Sequence, residues 1–156
     1  MIPLKRVATV LDAVEIATHL REQDRRELEA SYGPNITEAL VESVIGSSEA
    51  FVWTLDGKPI CIAGVSKAEF PGPNSGAGVP WMLGAPEMVK YSRMLIKDAR
   101  IYIEEKLKEF PCLFNFVHAE NSVSIGWLKH LGFTLGERIE EYGIGKEPFI
   151  LFYRYK

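Results

Sequence analysis

Apolar residues recur along this chain with two periods, and the switches between them lay out its elements. The apolar positions of residues 3–8 form a short first strand. Thr9 with Asp12 three residues on is a variant capping box, and the helix it opens carries Ala13, Ile16, Ala17, Leu20 and Leu28 at three- and four-residue spacing. Tyr32-Gly33-Pro34 closes it, and Asn35 with Glu38 starts a second helix running to about Gly46. Residues 50–55 and 59–65 are apolar runs joined by Asp56-Gly57, a strong hairpin signal. Residues 70–78, rich in Pro, Gly, Asn and Ser, read as a loop, and residues 79–83 as a short central strand.

From Met88 to Phe110 the period returns to that of a helix, with Leu95, Ile96, Ala99, Ile103 and Leu107 on one face. Residues 112–117 form a strand, Asn121 caps a short helix that ends at Gly132, and residues 134–141 and 149–155 are the closing strands. The predicted order is β-α-α-β-β-β-α-β-α-β-β. The central strand–helix–strand unit implies a parallel pair with a right-handed crossover. The hairpin before it makes the sheet mixed. The fold class is therefore α/β, and a length of 156 residues fits one domain over residues 1–156.

Composition narrows the chemistry. The net charge of −3 is spread over interspersed acids and bases, so neither nucleic acid nor a charged surface is indicated as partner. Cys61 and Cys112 stand far apart in apolar runs, as expected of reduced, buried thiols in a cytoplasmic protein. His19, His118 and His130 are isolated, so no metal site is expected. No apolar stretch is long enough to span a bilayer.

The run from Phe114 to Phe133 resembles the segment of the GNAT N-acetyltransferase superfamily that contains the fifth strand and the helix after it. Asn121 opens the helix, Trp127-Leu128 forms the apolar pair, and Gly132-Phe133 closes it eleven and twelve residues after the Asn. The element order agrees with that family over nearly the whole chain. The resemblance implies a mixed, twisted central sheet with helices on both faces. It also implies acyl transfer from acetyl-CoA to the amine of a small molecule or a protein by direct attack.

On this resemblance, the main chain of Met82, Leu83 and Gly84 and the side chains of Lys90, Ser92, Arg93 and Asn121 are the candidate cofactor contacts. His118 and Glu120, at the end of the fifth strand, are the candidate general bases. Asp24 interrupts the apolar stripe of the first helix, so it either contacts the acceptor or pairs internally with Arg21 or Arg25.

Two departures weaken the enzymatic expectation. The glycine-rich loop whose N–H groups hold the pyrophosphate in the family is here Leu83-Gly84-Ala85-Pro86-Glu87-Met88-Val89-Lys90-Tyr91-Ser92-Arg93, without its glycine pair. Leu128 stands where many members carry a tyrosine general acid, and it has no proton to give. Residues 20–28 and 79–84 are also similar to a bacteriophage subgroup of GNAT-like proteins that lacks the same loop and includes an internal virion protein. That similarity implies an alternative without turnover, in binding or virion assembly, with phage virion proteins as partners and the host cytoplasm or the virion as location.

Overall fold

A computed structural model describes residues 2–68 and 76–156; most of the loop expected over residues 70–78 lies outside them. The elements run β1 (Leu4–Val7), α1 (Val10–Ala17), α2 (Glu22–Tyr32), α3 (Ile36–Gly46), β2 (Ser47–Leu55), β3 (Lys58–Lys67) and β4 (Gly78–Gly84). A 3-10 turn (Pro86–Tyr91) then leads into α4 (Ser92–Glu109), followed by β5 (Cys112–His118), α5 (Ser122–His130), β6 (Thr134–Tyr142) and β7 (Glu147–Tyr155). The strands form one mixed sheet in the order β1-β2-β3-β4-β5-β7-β6, the architecture expected from the pattern.

Local signals account for most boundaries. Thr9 and Asp12 form the reciprocal capping box of α1, and Asn35 caps α3 by accepting from the Glu38 N–H at 3.1 Å. Asp56 and Gly57 both take positive φ, as a tight primed turn between β2 and β3 requires. Gly132, at φ 84°, turns the chain from α5 into β6.

Two expectations need correction. The first helix is not continuous to Tyr32. It breaks after Ala17, because the Arg21 N–H leaves the helical ladder to donate to the Gly84 carbonyl at 2.8 Å, and the chain restarts as α2 in a new direction. The helix expected from Met88 begins instead as the 3-10 turn, and regular α geometry starts only at Ser92.

The alternation of side chains along the strands divides the core. Ile62 and Leu83 bury against α1, α2 and α3 on one face. Val65, Leu113 and Val117 bury against α4 and the segment after α5 on the other. The central parallel pair is the irregular part: β4 and β5 are in register at a single pair, Gly78 with Leu113, and part beyond it. Inside the gap Asn115 Nδ2 donates to the Pro80 carbonyl at 2.8 Å, a side chain standing in for the missing ladder.

Asp12, almost fully buried, anchors the junction of β1 and α1. It accepts from both terminal nitrogens of Arg6 at 2.7 Å and from the Thr9 N–H at 2.8 Å, and the bond to Arg6 leads the causes holding its pKa below the ordinary value. Asp12→Ala is expected to cost ~1–2 kcal/mol of stability in urea unfolding at neutral pH. A lowered carboxyl pKa contributes stability above its unfolded value that is lost as pH falls, so the gap between wild type and variant should narrow in acid.

Candidate functional site

The parting of β4 and β5 opens a cavity of about 320 Å³. Trp81 and Met82, neighbours on β4 that point to opposite faces, both line it, as do Phe116 and Val117 on β5. The cavity therefore passes through the sheet. On one face it reaches Glu27 and Tyr32 of α2, with Tyr142 and Phe149 of the last hairpin. On the other it is walled by Ile103 of α4 and by Trp127 and Leu128 of α5.

A buried polar cluster holds the two strand ends apart. Arg21 donates to Asp24 Oδ1 and to Asn121 Oδ1, both at 3.2 Å. Asp24 Oδ2 accepts from the Gly84 N–H at 2.9 Å, and Asn121 Nδ2 donates to Asp24 Oδ1 at 3.2 Å and to Glu27 Oε1 at 3.3 Å. Burial pushes the Asp24 pKa up, and Arg21, the Gly84 N–H and the Asn121 amide act against it. With three donors converging on it, Asp24 is an acceptor at both oxygens, which is the geometry of a carboxylate.

Glu27 lies one helical turn from Asp24. Its Oε1 accepts from the His118 main-chain N–H at 2.8 Å as well as from Asn121. Oε2 has no protein partner among the described residues, and the side chain lines the cavity. Glu27 is only partly buried as a residue, but what remains exposed is a cavity wall and not open surface. Burial raises its pKa from 4.5 to about 7, opposed by the His118 N–H and reinforced by the charge of Asp24. Desolvation outweighs the opposing groups because the one buried guanidinium nearby, that of Arg21, is bonded to Asp24 and has only a minor lowering effect on Glu27.

The residues singled out in the sequence fall into three groups. Asp24 and Asn121 are brought together, but not on the cavity wall. Asp24 is 1 % exposed and Asn121 0 %, and each is bonded within the protein. Asn121 caps α5 through the Ser124 N–H at 3.4 Å, and its remaining hydrogen-bonding capacity is spent on α2, so the expected contact to a ligand has no free atom to make it. Asp24 takes the internal alternative, pairing with Arg21 and not with Arg25.

His118 and Glu120 form the second group. The His118 ring is fully buried, accepts at Nδ1 from the Glu120 N–H at 3.1 Å, and donates from Nε2 to Glu147 at 2.7 Å. Both ring nitrogens are committed, and neither residue lines the cavity. Glu120 points to the surface, where it pairs with Arg26 at 2.6 Å. What His118 offers the cavity is its main-chain N–H, through Glu27.

The third group surrounds the end of β4. The Gly84 N–H is taken by Asp24 and its carbonyl by Arg21, so Gly84 does not present its main chain to a ligand. A Cβ on Gly84 would lie 2.8 Å from the Ile60 carbonyl oxygen, so the close packing here requires glycine. The main-chain groups of Pro80 and Gly84 point away from β3, and alternation directs those of Met82 the same way, into the gap. Leu83 is buried on the face of α1, α2 and α3 and lines the cavity there. Lys90 and Arg93 are exposed where the 3-10 turn joins α4, and the Ser92 N–H is already bonded to the Val89 carbonyl. The main-chain donors of this corner are thus partly consumed. Among the described residues no group of acids, histidines and cysteines is placed to hold a metal, and no helix is long and apolar enough to cross a membrane.

Glu27 escaped the sequence reading because it sits among Glu22, Arg25, Arg26 and Glu29 in what looks like a solvated helix face. Its distance of three from Asp24, which puts both carboxyls on one side of a helix, was the available signal.

Neither a model of a known protein family nor a curated protein sequence matches the chain. Solved structures do. A GNAT superfamily phosphinothricin acetyltransferase from Sinorhizobium meliloti, solved with acetyl-CoA, aligns at a TM-score of 0.72 and 18 % identity, covering 99 % of this chain and 89 % of that one. A GCN5-related N-acetyltransferase from Kribbella flavida aligns at 0.70 and 19 % identity, covering 99 % and 98 %. AAC(6')-Ib, in complex with ribostamycin and coenzyme A, aligns at 0.69 and 16 % identity, covering 100 % and 94 %. The chain has the fold of the GNAT N-acetyltransferases, and at these identities the likeness is one of fold.

Removing Arg21 strands a buried carboxylate, so Arg21→Ala is expected to cost ~3–5 kcal/mol in urea unfolding, against ~1–3 kcal/mol for Asn121→Ala. Glu27 gives the opposite sign. Its folded pKa is raised, so its contribution to stability is present below about 4.5 and is lost as pH rises towards about 7. Glu27→Gln should therefore gain stability relative to wild type across that window, read as a rising difference in urea midpoints.

Proposed function

We propose that this chain, acting as one domain, is an acyl-CoA-dependent N-acyltransferase in which Glu27 is the general base. The observation that carries the reading is the juxtaposition of a carboxyl group poised near neutrality with a cavity that passes between two parting central strands. A base of pKa about 7 is matched to taking a proton from an amine at physiological pH.

The face of the cavity walled by Ile103, Trp127 and Leu128 suits the apolar acyl-bearing arm of acetyl-CoA, which would supply the activated acyl group. Met82 N–H, directed into the gap, is the donor available to polarise the thioester carbonyl. The acceptor approaches from the face that holds Glu27. Glu27 takes a proton from the bound ammonium, the freed amine nitrogen attacks the carbonyl carbon, the C–S bond breaks, and the second nitrogen proton is released to solvent. Leu128 has no proton to offer the departing sulfur, which takes one from water. Lys90 and Arg93 remain as side-chain partners for the phosphates, in place of the glycine loop.

A second reading keeps the fold without turnover, as a binding protein or a bacteriophage virion-assembly protein. One observation bears on the absence of turnover, though not on a bacteriophage role: the 3-10 turn with its Ser92 N–H consumed where the family holds pyrophosphate.

Thermal unfolding separates the two. Acetyl-CoA at a hundred times its dissociation constant should add ~2.7 kcal/mol of stability, and no shift at millimolar ligand would leave only the second reading. Glu27→Gln should retain the shift while lowering kcat by ~10²-fold or more. The wild-type rate should climb through a pH of about 7, and the residual rate of the variant should not.

A further inference from the structure

The acceptor face of the cavity is as informative for what it lacks as for what it holds. Among the described residues that line the cavity there is no lysine, arginine or histidine, and Glu27 is the one carboxylate. The cations beside Glu27 are already committed: Arg21 to Asp24 and Asn121 inside the protein, Arg26 to Glu120 and Glu147 at its surface. Lys5 and Lys106 stand over Phe51 and Tyr102, away from Glu27 on the face of α4.

The serines, the asparagine and the indole N–H on this face are engaged as well. Ser31 Oγ donates to the Glu27 carbonyl at 2.8 Å and Ser43 Oγ to the Ala39 carbonyl at 2.9 Å. Asn115 uses its amide on the Pro80 carbonyl and its oxygen on the Phe116 N–H, both at 2.8 Å. Trp81 Nε1 donates to Ser47 Oγ at 2.8 Å. What faces the ligand is therefore Glu27, aromatic surface and the hydroxyls of Tyr32 and Tyr142. Tyr142 is stacked between Phe116 and Phe149, with ring centroids 4.8 and 4.6 Å apart, and Tyr32 stands half-exposed beside them.

Resting on the transferase reading above, we infer that the acceptor is a primary amine carried on an uncharged aromatic frame, an arylalkylamine, and not an α-amino acid. An ammonium group meets the carboxylate of Glu27 and the faces of the rings. The frame packs on aromatic surface. A carboxylate on the carbon bearing the amine would be taken out of water next to Glu27 with no cation to receive it, and the tyrosine hydroxyls of the lining, being neutral donors, do not repay that desolvation.

The test uses three acceptors that share one frame: phenethylamine, phenylalanine and phenylalaninamide, each assayed with acetyl-CoA by thiol release, alongside the acetyl-CoA thermal shift. The expected result is a kcat/KM for phenethylamine ~10²-fold or more above that for phenylalanine, with phenylalaninamide, which keeps the bulk and loses the charge, within about tenfold of phenethylamine. Phenylalanine turned over within tenfold of phenethylamine, or phenylalaninamide as poor as phenylalanine, overturns the substrate class and leaves acyl transfer standing. An acetyl-CoA shift without release on any of the three also overturns the substrate class. No shift and no release overturns the transferase reading along with it.

Discussion

One guanidinium, that of Arg21, organises the functional half of this molecule. It lies at the break between α1 and α2, buried beneath the end of β4, and bonds Asp24 on its own helix and Asn121 at the start of α5. Asp24 in turn holds the Gly84 N–H. The first helix is interrupted here, the end of β4 is fixed to α2, and the segment after β5 is fixed to the same helix. Two parallel strands that have parted are thereby each bolted to a third element, and the gap between them is held open without a sheet ladder. A buried charge network of this kind is weak evidence for stability as such, since desolvation offsets much of its attraction. Its consequence here is geometric.

The same network sets the electrostatics of the cavity. Arg21 balances one carboxylate, and α2 brings two. The carboxyl that receives Arg21, a main-chain N–H and an amide is Asp24; the one left with a main-chain N–H and a shared amide is Glu27. Burial then outweighs the His118 N–H, the Asn121 amide and the charge of Arg21 at Glu27. His118, the residue whose chemistry looks most suited to proton transfer, is spent on structure. Its ring locks the end of β5 to Glu147, and its N–H steadies the carboxylate that does face the cavity.

At the corner between β4 and α4 the main-chain groups of this chain are partly engaged within the protein. Gly84 is engaged by α2, and Pro86 starts a 3-10 turn that spends the Ser92 N–H on Val89. The positive side chains Lys90 and Arg93 sit beside it in solvent. Recognition of an anion there would rest on side-chain charge more than on a cradle of main-chain donors, which makes it more sensitive to salt.

Much of the fold was legible in the chain itself, because its signals are local. Capping residues at Thr9 and Asn35, the Asp56-Gly57 turn, the helical period of residues 92–107 and the Asn121-to-Gly132 spacing each fix an element through neighbours a few residues away. The order of those elements then leaves few ways to build the sheet. The site was not legible in the same way. Whether Asp24, Asn121 and His118 face a ligand or one another depends on contacts across as many as 100 residues of sequence, such as Arg21 with Asn121. Whether Glu27 is a solvated surface charge or a carboxyl of raised pKa depends on how deeply the fold buries it and on which acid receives the one buried guanidinium. Sequence determined which elements form and in what order, since capping and periodicity act over a turn of helix or a pair of strands. Only the tertiary structure decided which carboxyl group is left facing the cavity without a counterion, because burial and charge balance are properties of the packed molecule.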